Sequence, residues 1–482
     1  MGDDALKTIK EVLLQHGGKG LDIAASLIQP KKDSELEALA NSMEAKNPKA
    51  HQSILSDKRH GVFFGTQYGR YVIKPENMDE HVMIIGGPGK GKSTCIAIPT
   101  LRHWRGSVFA IDIKGELYKN THKYRTNIKV FAPHNKDSPF GYDPYFFLKQ
   151  KGSNEAQEAH AIAQAIIPLP PGIKDTFWIE SAQTILTGAI LHYHACKKSF
   201  IGTLQAILNE ETRELLKIIA EESPSDKAVR CVKNYVGMDD RTLMSIFPHL
   251  SNAIEAIVNN DDLVAALSKE NVITPEDLEN GHDVYIQVPE YLLSQWKSLV
   301  TLMINQFITF FKKRKEEDRD DPQNGMNRPI LMMLDEFPML GKIPEVITDA
   351  LPILRSKKVT VCIVAQSLAQ LEMIYGRTAR KVIADTCGFK AVLSANDAET
   401  QRYFSQLVGT FEKMKAQYTQ NYSPLNLQSG NSVQSSTEDG RPIIKPEDFA
   451  TLQEELILLY PLPYNFCRVK KQPYYLEKVN KP

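Results

Sequence analysis

Hydrophobic positions in the first third of the chain form short apolar runs separated by helical patterns. The runs at 82–85, 107–113 and 128–132 have the length of buried strands, and helical spacing follows the first two. Aromatic and β-branched residues at 61–73 predict a hairpin before the first run. Strands that alternate with helices predict an α/β fold with a mainly parallel sheet.

The pattern changes in the middle of the chain. From 154 to 280 the apolar residues recur at helical spacing almost without a strand signal, which predicts an inserted all-alpha domain. Strand patterns then return at 283–288, 330–337, 359–365, 389–393 and 456–460. The most apolar window, 298–311, is shorter than the roughly 20 residues that a membrane span requires, so it predicts a buried helix. Residues 417–440 are rich in Ser, Asn and Gln, and they predict a mobile loop.

A glycine-rich motif directly follows the strand at 82–85. Its sequence GGPGKGKST fits the pattern G-x-x-x-x-G-K-[ST], in which curled backbone N–H groups and a helix N-terminus face one phosphate group. Lys92 would reach the β- and γ-phosphates of ATP, and the Ser93 hydroxyl would bind Mg²⁺. A turn without a ligand is the alternative, which the strand before and the helix after disfavour. The predicted phosphate site consists of Gly86, Gly87, Pro88, Gly89, Lys90, Gly91, Lys92, Ser93 and Thr94.

Two adjacent carboxylates follow another apolar run, ILMML at 330–334. Asp335 is predicted to hold Mg²⁺, directly or through water, and Glu336 to polarise the water that attacks the γ-phosphate. Helix capping is the alternative role for such a pair. The phosphate motif earlier in the chain favours the catalytic interpretation.

Two further residues are candidates because of their place beside these strands. Gln366 follows the strand at 359–365, where its amide would bond the attacking water and the γ-phosphate; a solvent-facing polar residue is the alternative. Arg355 precedes that strand and would reach the active site of a neighbouring subunit. Arg377, Arg380 and Arg402 are its competitors for this role, and a surface salt bridge is the other interpretation of Arg355.

Composition limits the possible partners. Lys and Arg together number 58, as do Asp and Glu, so overall charge cannot hold a polyanion, and any nucleic-acid contact needs a local cluster or a ring of subunits. The six cysteines are scattered and predict neither disulfides nor a zinc site. A GTPase is disfavoured because no N-K-x-D motif is present, and an ABC-type ATPase because no LSGGQ-like segment is present.

Several longer segments resemble the coupling ATPases of type IV secretion and conjugation, the TraG/TraD type. They are HGVFFG at 60–65, DIKGELY at 112–118, DTFWIESAQTILTGAI at 175–190, LDEFPMLGKIP at 334–344, AQSLAQLEMIYG at 365–376 and RPIIKPEDF at 441–449. The resemblance covers roughly residues 57–480. It implies a RecA-like P-loop NTPase core, a glutamate-base ATPase using ATP and Mg²⁺, and an inserted all-alpha domain that reads the substrate.

The resemblance also implies partners and a location. Family members form a homo-hexamer at the secretion channel, contact channel proteins and DNA, and carry a relaxase–DNA complex or protein effectors. They usually have two N-terminal transmembrane helices, and this chain shows none. We therefore expect a chain that is soluble as given and works at the cytoplasmic face of the bacterial inner membrane. Either its anchor was removed or a membrane partner supplies one.

The predicted organisation has four parts: a helical preface at 1–55, the first part of the nucleotide-binding domain at 56–150, the insert at 151–280 and the second part of the nucleotide-binding domain at 281–482. Two other functions remain open. One is a DNA translocase with the same core that acts in chromosome partition or packaging. The other is a scaffold that uses nucleotide only to assemble, which Lys92, Asp335 and Glu336 disfavour.

Overall fold

The structure is a computed structural model, and it describes residues 48–170, 173–316, 328–343, 346–420, 431–462 and 465–477. Most of the predicted preface at 1–55 therefore lies outside the described residues. None of the helices in these ranges is long and apolar enough to cross a membrane.

A large mixed sheet is the centre of the molecule. The described strands are β1 (Leu55–Ser56), β2 (Val62–Gln67), β3 (Arg70–Lys74), β4 (Val82–Ile85), β5 (Ser107–Asp112), β6 (Ile128–Phe131), β7 (Gly141–Tyr142), β8 (Val272–Ile273), β9 (Asp283–Gln287), β10 (Ile330–Leu334), β11 (Val359–Ala365), β12 (Phe389–Val392), β13 (Thr410–Gln420), β14 (Asn431–Pro442), β15 (Glu455–Leu459) and β16 (Phe466–Lys470). Two pairs, β7–β8 and β13–β14, are separate from the large sheet. The sheet has the order β1-β3-β2-β16-β15-β12-β4-β11-β10-β5-β9-β6. From β12 to β6 all neighbours are parallel, which confirms the predicted α/β fold. The predicted hairpin is β2–β3, on the antiparallel side of the sheet.

Helices cover the sheet and fill the insert. The described α-helices are α1 (Ile98–His103), α2 (Glu116–Thr121), α3 (Glu155–Ile166), α4 (Phe177–Ala195), α5 (Phe200–Asn209), α6 (Thr212–Glu222), α7 (Asp226–Val236), α8 (Asp240–Val258), α9 (Asp261–Leu267), α10 (Glu276–Glu279), α11 (Glu290–Lys312), α12 (Val346–Ser356), α13 (Leu368–Tyr375), α14 (Arg377–Thr386) and α15 (Ala398–Val408). The apolar window at 298–311 lies in α11, where most of its side chains are buried, as predicted.

The parallel strands are continuously apolar because both faces of the sheet are covered. In β4, Met83 and Ile85 belong to one hydrophobic core, whereas Val82 and Ile84 belong to the other. On the first face, the ring of Phe109 lies 4.6 Å from that of Phe307 in α11. The two cores hold the central strands in a fixed register, and therefore hold their carboxyl ends in fixed positions.

The helical insert leaves and rejoins the sheet at one place, because β7 and β8 pair with each other. Its helices α3–α9 share one continuous hydrophobic core with the sheet and α11. A polar contact also joins the two parts, since the Lys313 ammonium next to the end of α11 lies 3.5 Å from the Glu158 carboxylate of α3. The insert is therefore packed into the molecule and not tethered to it.

The expectation of a mobile loop at 417–440 is wrong for the described residues of that segment. They belong to two long antiparallel strands, β13 and β14, with Lys415 opposite Ser436. The prediction rested on the low apolar content of the segment, but an antiparallel pair is joined through backbone N–H and C=O groups, which every non-proline residue provides. The centre of the segment, 421–430, lies outside the described residues.

Candidate active site

The phosphate loop connects β4 to a helix that begins as a π-helical segment, Lys92–Ala97, and continues as α1. Gly89 and Gly91 have φ angles of +71° and +95°, a left-handed conformation that glycine adopts without strain. A Cβ atom at Gly91 would also come within 2.8 Å of the Cys95 sulfur. These positions explain why the motif needs glycine at this turn.

Neighbouring strands hold the start of the loop. The Gly86 N–H donates to the carbonyl of Ala365 at the end of β11, at 3.2 Å. The Gly87 N–H donates to the Ser394 hydroxyl at 3.0 Å, and Ser394 is fully buried behind β12. No local sequence signal marks Ser394, because its role depends on β12 lying beside β4.

Lys92 is buried inside the loop it belongs to. Its ammonium donates to the carbonyl of Gly86 at 2.7 Å and to that of Gly87 at 3.4 Å. Burial lowers the pKa of Lys92, and the carboxylates of Glu336 and Asp335 oppose that effect. The positive charge of Lys92 is therefore poorly hydrated, and a phosphate group bound beside it would stabilise that charge.

The two predicted carboxylates follow β10, at the same edge of the sheet as the loop. Asp335 is almost completely buried, and its pKa is raised to about 7, first by burial and then by the charges of Glu336 and Asp112. Glu336 is also buried and has a φ of +46°, a conformation that costs a residue with a side chain about 1 kcal/mol or more. The left-handed conformation of Glu336 directs the chain from β10 into the short helix Phe337–Leu340.

The chain just after β5 contributes a lysine, Lys114, that no local sequence signal marks. The Lys114 ammonium lies 3.2 Å from the Glu336 carboxylate. Burial lowers the pKa of Lys114, but the charge and hydrogen bond of Glu336 together with the charges of Asp335 and Glu116 outweigh that effect, so the pKa is raised. The neighbouring Asp112 has a structural role instead, because its carboxylate accepts the N–H groups of Leu117 and Tyr118 at the start of α2.

Gln366 is half-buried at the end of β11, between the strand of the phosphate loop and the strand of the two carboxylates. The side chain of Gln370 accepts its backbone N–H at 3.2 Å. Ser367 begins α13 by accepting the N–H of Gln370 at 3.3 Å. The structure thus brings Gln366 to the same edge of the sheet as the phosphate loop, Asp335 and Glu336.

Arg355 lies at the opposite edge of the sheet, where the parallel strands begin. Its guanidinium donates to Glu80, just before β4, at 2.6 Å, and the Arg355 side chain is 39% exposed. Because β11 is 7 residues long, about 20 Å of strand separates this edge from Gln366. The structure therefore does not bring Arg355 into the phosphate site of its own chain.

The residues that precede β4 also contact the helix and strand on either side of Arg355. His81 is fully buried; one ring nitrogen bonds the Leu351 carbonyl of α12 at 2.6 Å, and the other accepts the Val361 N–H of β11 at 3.1 Å. Burial lowers the pKa of His81 to about 4, so the ring is neutral. The start of β4 is thereby fixed to the element that carries Arg355.

Comparison with known proteins gives consistent matches over most of the chain. The family model described as "Type IV secretory system Conjugative DNA transfer" matches residues 30–481. Protein VirD4 of Agrobacterium fabrum is 26% identical over 423 residues, which cover 86% of this chain and 61% of VirD4. A conjugal transfer protein TraG of Escherichia coli is 23% identical, covering 80% of this chain and 65% of TraG. The chain thus spans less than two thirds of the length of these two relatives.

Solved structures with the same fold include those of a bacterial conjugative coupling protein, TrwB. The unbound form of TrwBdeltaN70 matches with a TM-score of 0.62 and 17% identity, over 89% of this chain and 91% of that one. A TrwB complex with ADP and Mg²⁺ matches with a TM-score of 0.59 and 16% identity, over 88% and 90% of the two chains. At this identity the likeness concerns the fold, a RecA-like core with an all-alpha domain.

Proposed function

The chain belongs to the type IV secretory system conjugative DNA transfer family, and on that premise we propose that it is the ATP-hydrolysing coupling motor of such a system. It would recruit a relaxase–DNA complex or a protein effector and deliver it to the translocation channel. The observation that supports a motor is the meeting of the phosphate loop, Gln366, and the Asp335–Glu336 pair on the adjacent strands β4, β11 and β10. Neighbouring strand ends bring binding and hydrolytic groups within reach of one γ-phosphate.

Residues 86–94 would hold the phosphates of ATP, and Ser93 and Asp335 would hold Mg²⁺. Both are oxygen donors, which Mg²⁺ prefers, and the pKa of Asp335 is raised by burial and by the neighbouring Glu336 and Asp112 charges, so a bound cation would stabilise its charged form. Among the described residues no group of three His, Cys, Asp or Glu side chains could hold a metal ion alone, so phosphate oxygens and water would complete the shell. When bound, Mg²⁺ supplies charge neutralisation at the phosphate oxygens.

Glu336 would act as the general base and Gln366 would orient the attacking water. A buried carboxylate at the end of β10 suits proton abstraction because it is shielded from bulk solvent. Gln366 lies one strand away, so its amide would bond both the water and the γ-phosphate. Movement of β11 would then respond to the loss of that phosphate.

The experiment that tests this function is an ATP turnover assay of the purified chain with Mg²⁺, with and without single- and double-stranded DNA. We expect turnover of ATP that DNA stimulates, and little or none in Lys92→Ala. A nucleotide affinity without turnover would favour the assembly scaffold. A DNA-stimulated enzyme that binds no relaxase or effector would favour a partition or packaging translocase. GTP belongs in the same assay, since TrwB has been solved with GTP and ATP analogues.

We also propose that the active unit is a homo-hexameric ring in which Arg355 completes the site of the next subunit. Arg355 lies at the edge of the sheet opposite the phosphate loop, so only a head-to-tail contact brings it to a γ-phosphate. Of its competitors, Arg380 is buried and held by Glu372 and Glu399, both at 3.3 Å. Arg377 and Arg402 are exposed and serve as comparisons.

The helical insert would select the cargo. Residues 154–280 contain 19 Asp and Glu residues and 10 Lys and Arg residues, a formal charge of −9 in a chain that is neutral overall. Such a surface repels a DNA backbone and favours basic segments of a protein cargo. DNA would instead contact the remaining part of the chain, which has an equal excess of positive charge.

This assignment predicts a separation of transfer from hydrolysis. Reversal of two exposed acids at the end of α6, Glu221→Lys with Glu222→Lys, should lower transfer about 10-fold and leave ATP turnover within about twofold. The matched control is Glu447→Lys with Glu454→Lys, an equal charge change outside the insert. Transfer efficiency in cells and turnover of the purified variants are the measurements. Equal losses in both double variants, or no loss in the insert, would contradict the assignment.

The site of action would be the cytoplasmic face of the bacterial inner membrane. This proposal rests on the family, which is described as part of a type IV secretory system. Contacts with channel proteins, or an anchor supplied by a membrane partner, would bring the motor to that face.

A further inference from the structure

Lys114 occupies a position between the hydrolytic carboxylate and the solvent. Its ammonium is 3.2 Å from a Glu336 oxygen, and 46% of its side chain is exposed, compared with 7% for Glu336. The Glu336 side chain is thus confined in its pocket, whereas the lysine that neutralises it has room to move.

The backbone on either side of Lys114 is fixed. β5 is buried between β10 and β9, and Asp112 caps the start of α2 through two backbone N–H groups. Gly115, with a φ of +67°, makes the turn between strand and helix. Lys114 also lines a cavity of about 370 Å³ with His134 and Glu290, so open space lies beside its side chain.

The buried carboxylates near Lys114 have few cations to neutralise them. Three buried carboxylates, Asp112, Asp335 and Glu336, lie at the carboxyl ends of the neighbouring strands β5 and β10. The Lys92 ammonium is bonded to carbonyls of the phosphate loop. Among the described residues Lys114 is the cation paired with Glu336, and a γ-phosphate brought to the loop would compete for it with that carboxylate.

We propose that Lys114 pairs with Glu336 until a γ-phosphate arrives and then transfers its contact to that phosphate. This inference rests on the proposed ATPase function. The released Glu336 carboxylate accepts a proton from water, the water oxygen forms a bond to the γ-phosphorus, and the bond between that phosphorus and the β–γ bridging oxygen breaks. ADP leaves with the bridging oxygen, and the products are ADP, phosphate and the protonated carboxyl group.

An exchange of this kind makes Lys114 sensitive to the third phosphate alone. ADP has no γ-phosphate, so Lys114 stays with Glu336 when ADP is bound. ATP and its analogue ADPNP present additional negative charge that attracts the ammonium. Lys92, by contrast, serves all nucleotides because it lies in the loop that holds the β-phosphate.

The test compares the affinities of wild type and Lys114→Met for ADPNP and for ADP, with Mg²⁺ present. We expect the affinity for ADPNP to fall about 10-fold and that for ADP to stay within about twofold, while ATP turnover falls at least about 10-fold. Lys114→Arg should recover most of the preference for ADPNP. Lys119→Met, an exposed lysine of α2, is the matched control and should resemble wild type in all three measurements.

The outcomes separate this inference from the function on which it rests. If Lys114→Met loses ADP and ADPNP affinity equally, or loses neither, Lys114 does not follow the γ-phosphate and the inference is overturned. If wild type itself neither binds nor hydrolyses ATP, the proposed ATPase function fails first. Thermal unfolding of each variant ensures that a loss of binding is not a loss of folding.

Discussion

Glu336→Gln should lower ATP turnover by about 10²-fold or more and keep nucleotide affinity within about threefold of wild type. Glutamine has nearly the same volume and polar shape as glutamate, so the buried, left-handed position at the end of β10 can be retained. It cannot accept the proton of the attacking water. Lys92→Ala should lose both properties, because Lys92 belongs to the phosphate loop itself.

Turnover and nucleotide affinity are measured separately, by phosphate release and by titration with ADPNP. Glu116→Gln is a suitable control, since Glu116 is an exposed acid at the same edge of the sheet. Near-normal turnover in Glu336→Gln would remove Glu336 from the role of general base. A parallel loss of affinity and turnover in Glu336→Gln would assign it to binding instead.

Rings assembled from two kinds of inactive subunit should regain ATP turnover if Arg355 acts on the active site of the neighbouring subunit. Arg355→Ala and Lys92→Ala subunits should each turn over ATP at least about 10²-fold more slowly than wild type, because an arginine supplied by a neighbour commonly contributes about 10³-fold or more. In an equal mixture, about a quarter of the interfaces combine an intact Lys92 with a neighbour's intact Arg355. Activity should reappear at these interfaces.

The measurement is ATP turnover as a function of mixing ratio, in rings shown to contain both subunits by a tag on one of them. Arg377→Ala and Arg402→Ala, mixed in the same way, are matched exposed arginines. Full activity of Arg355→Ala alone would show that Arg355 is dispensable. Failure of proven mixed rings to recover would show that it does not act on the neighbour.

Local sequence signals were sufficient to predict where the candidate groups formed by consecutive residues lie in the sheet. The phosphate loop, the Asp335–Glu336 pair and Gln366 each follow an apolar run, and their strands end at one edge of the sheet. The parallel sheet and the helical insert were predictable for the same reason, since apolar periodicity reports which faces are buried.

The contacts that were missed depend on strand order. Lys114 meets Glu336 because β5 lies beside β10, although more than 200 residues separate them in the chain. Ser394 reaches Gly87 because β12 lies beside β4. Arg355 pairs with Glu80 because α12 ends next to the start of β4. Neighbouring strands in a sheet are chosen by packing over the whole core, and no single segment records that choice.

The common core of the insert and the sheet limits how this protein can be retargeted. Exchanging the whole insert for that of a relative would leave the apolar face of α11 against foreign side chains and would remove Glu158, the partner of Lys313 next to the end of α11. New specificities therefore arise more readily by point substitution on the outer helices than by recombination of entire segments. To engineer a new cargo specificity, exposed side chains on α6–α8 would be substituted and the buried faces of these helices would be left unchanged.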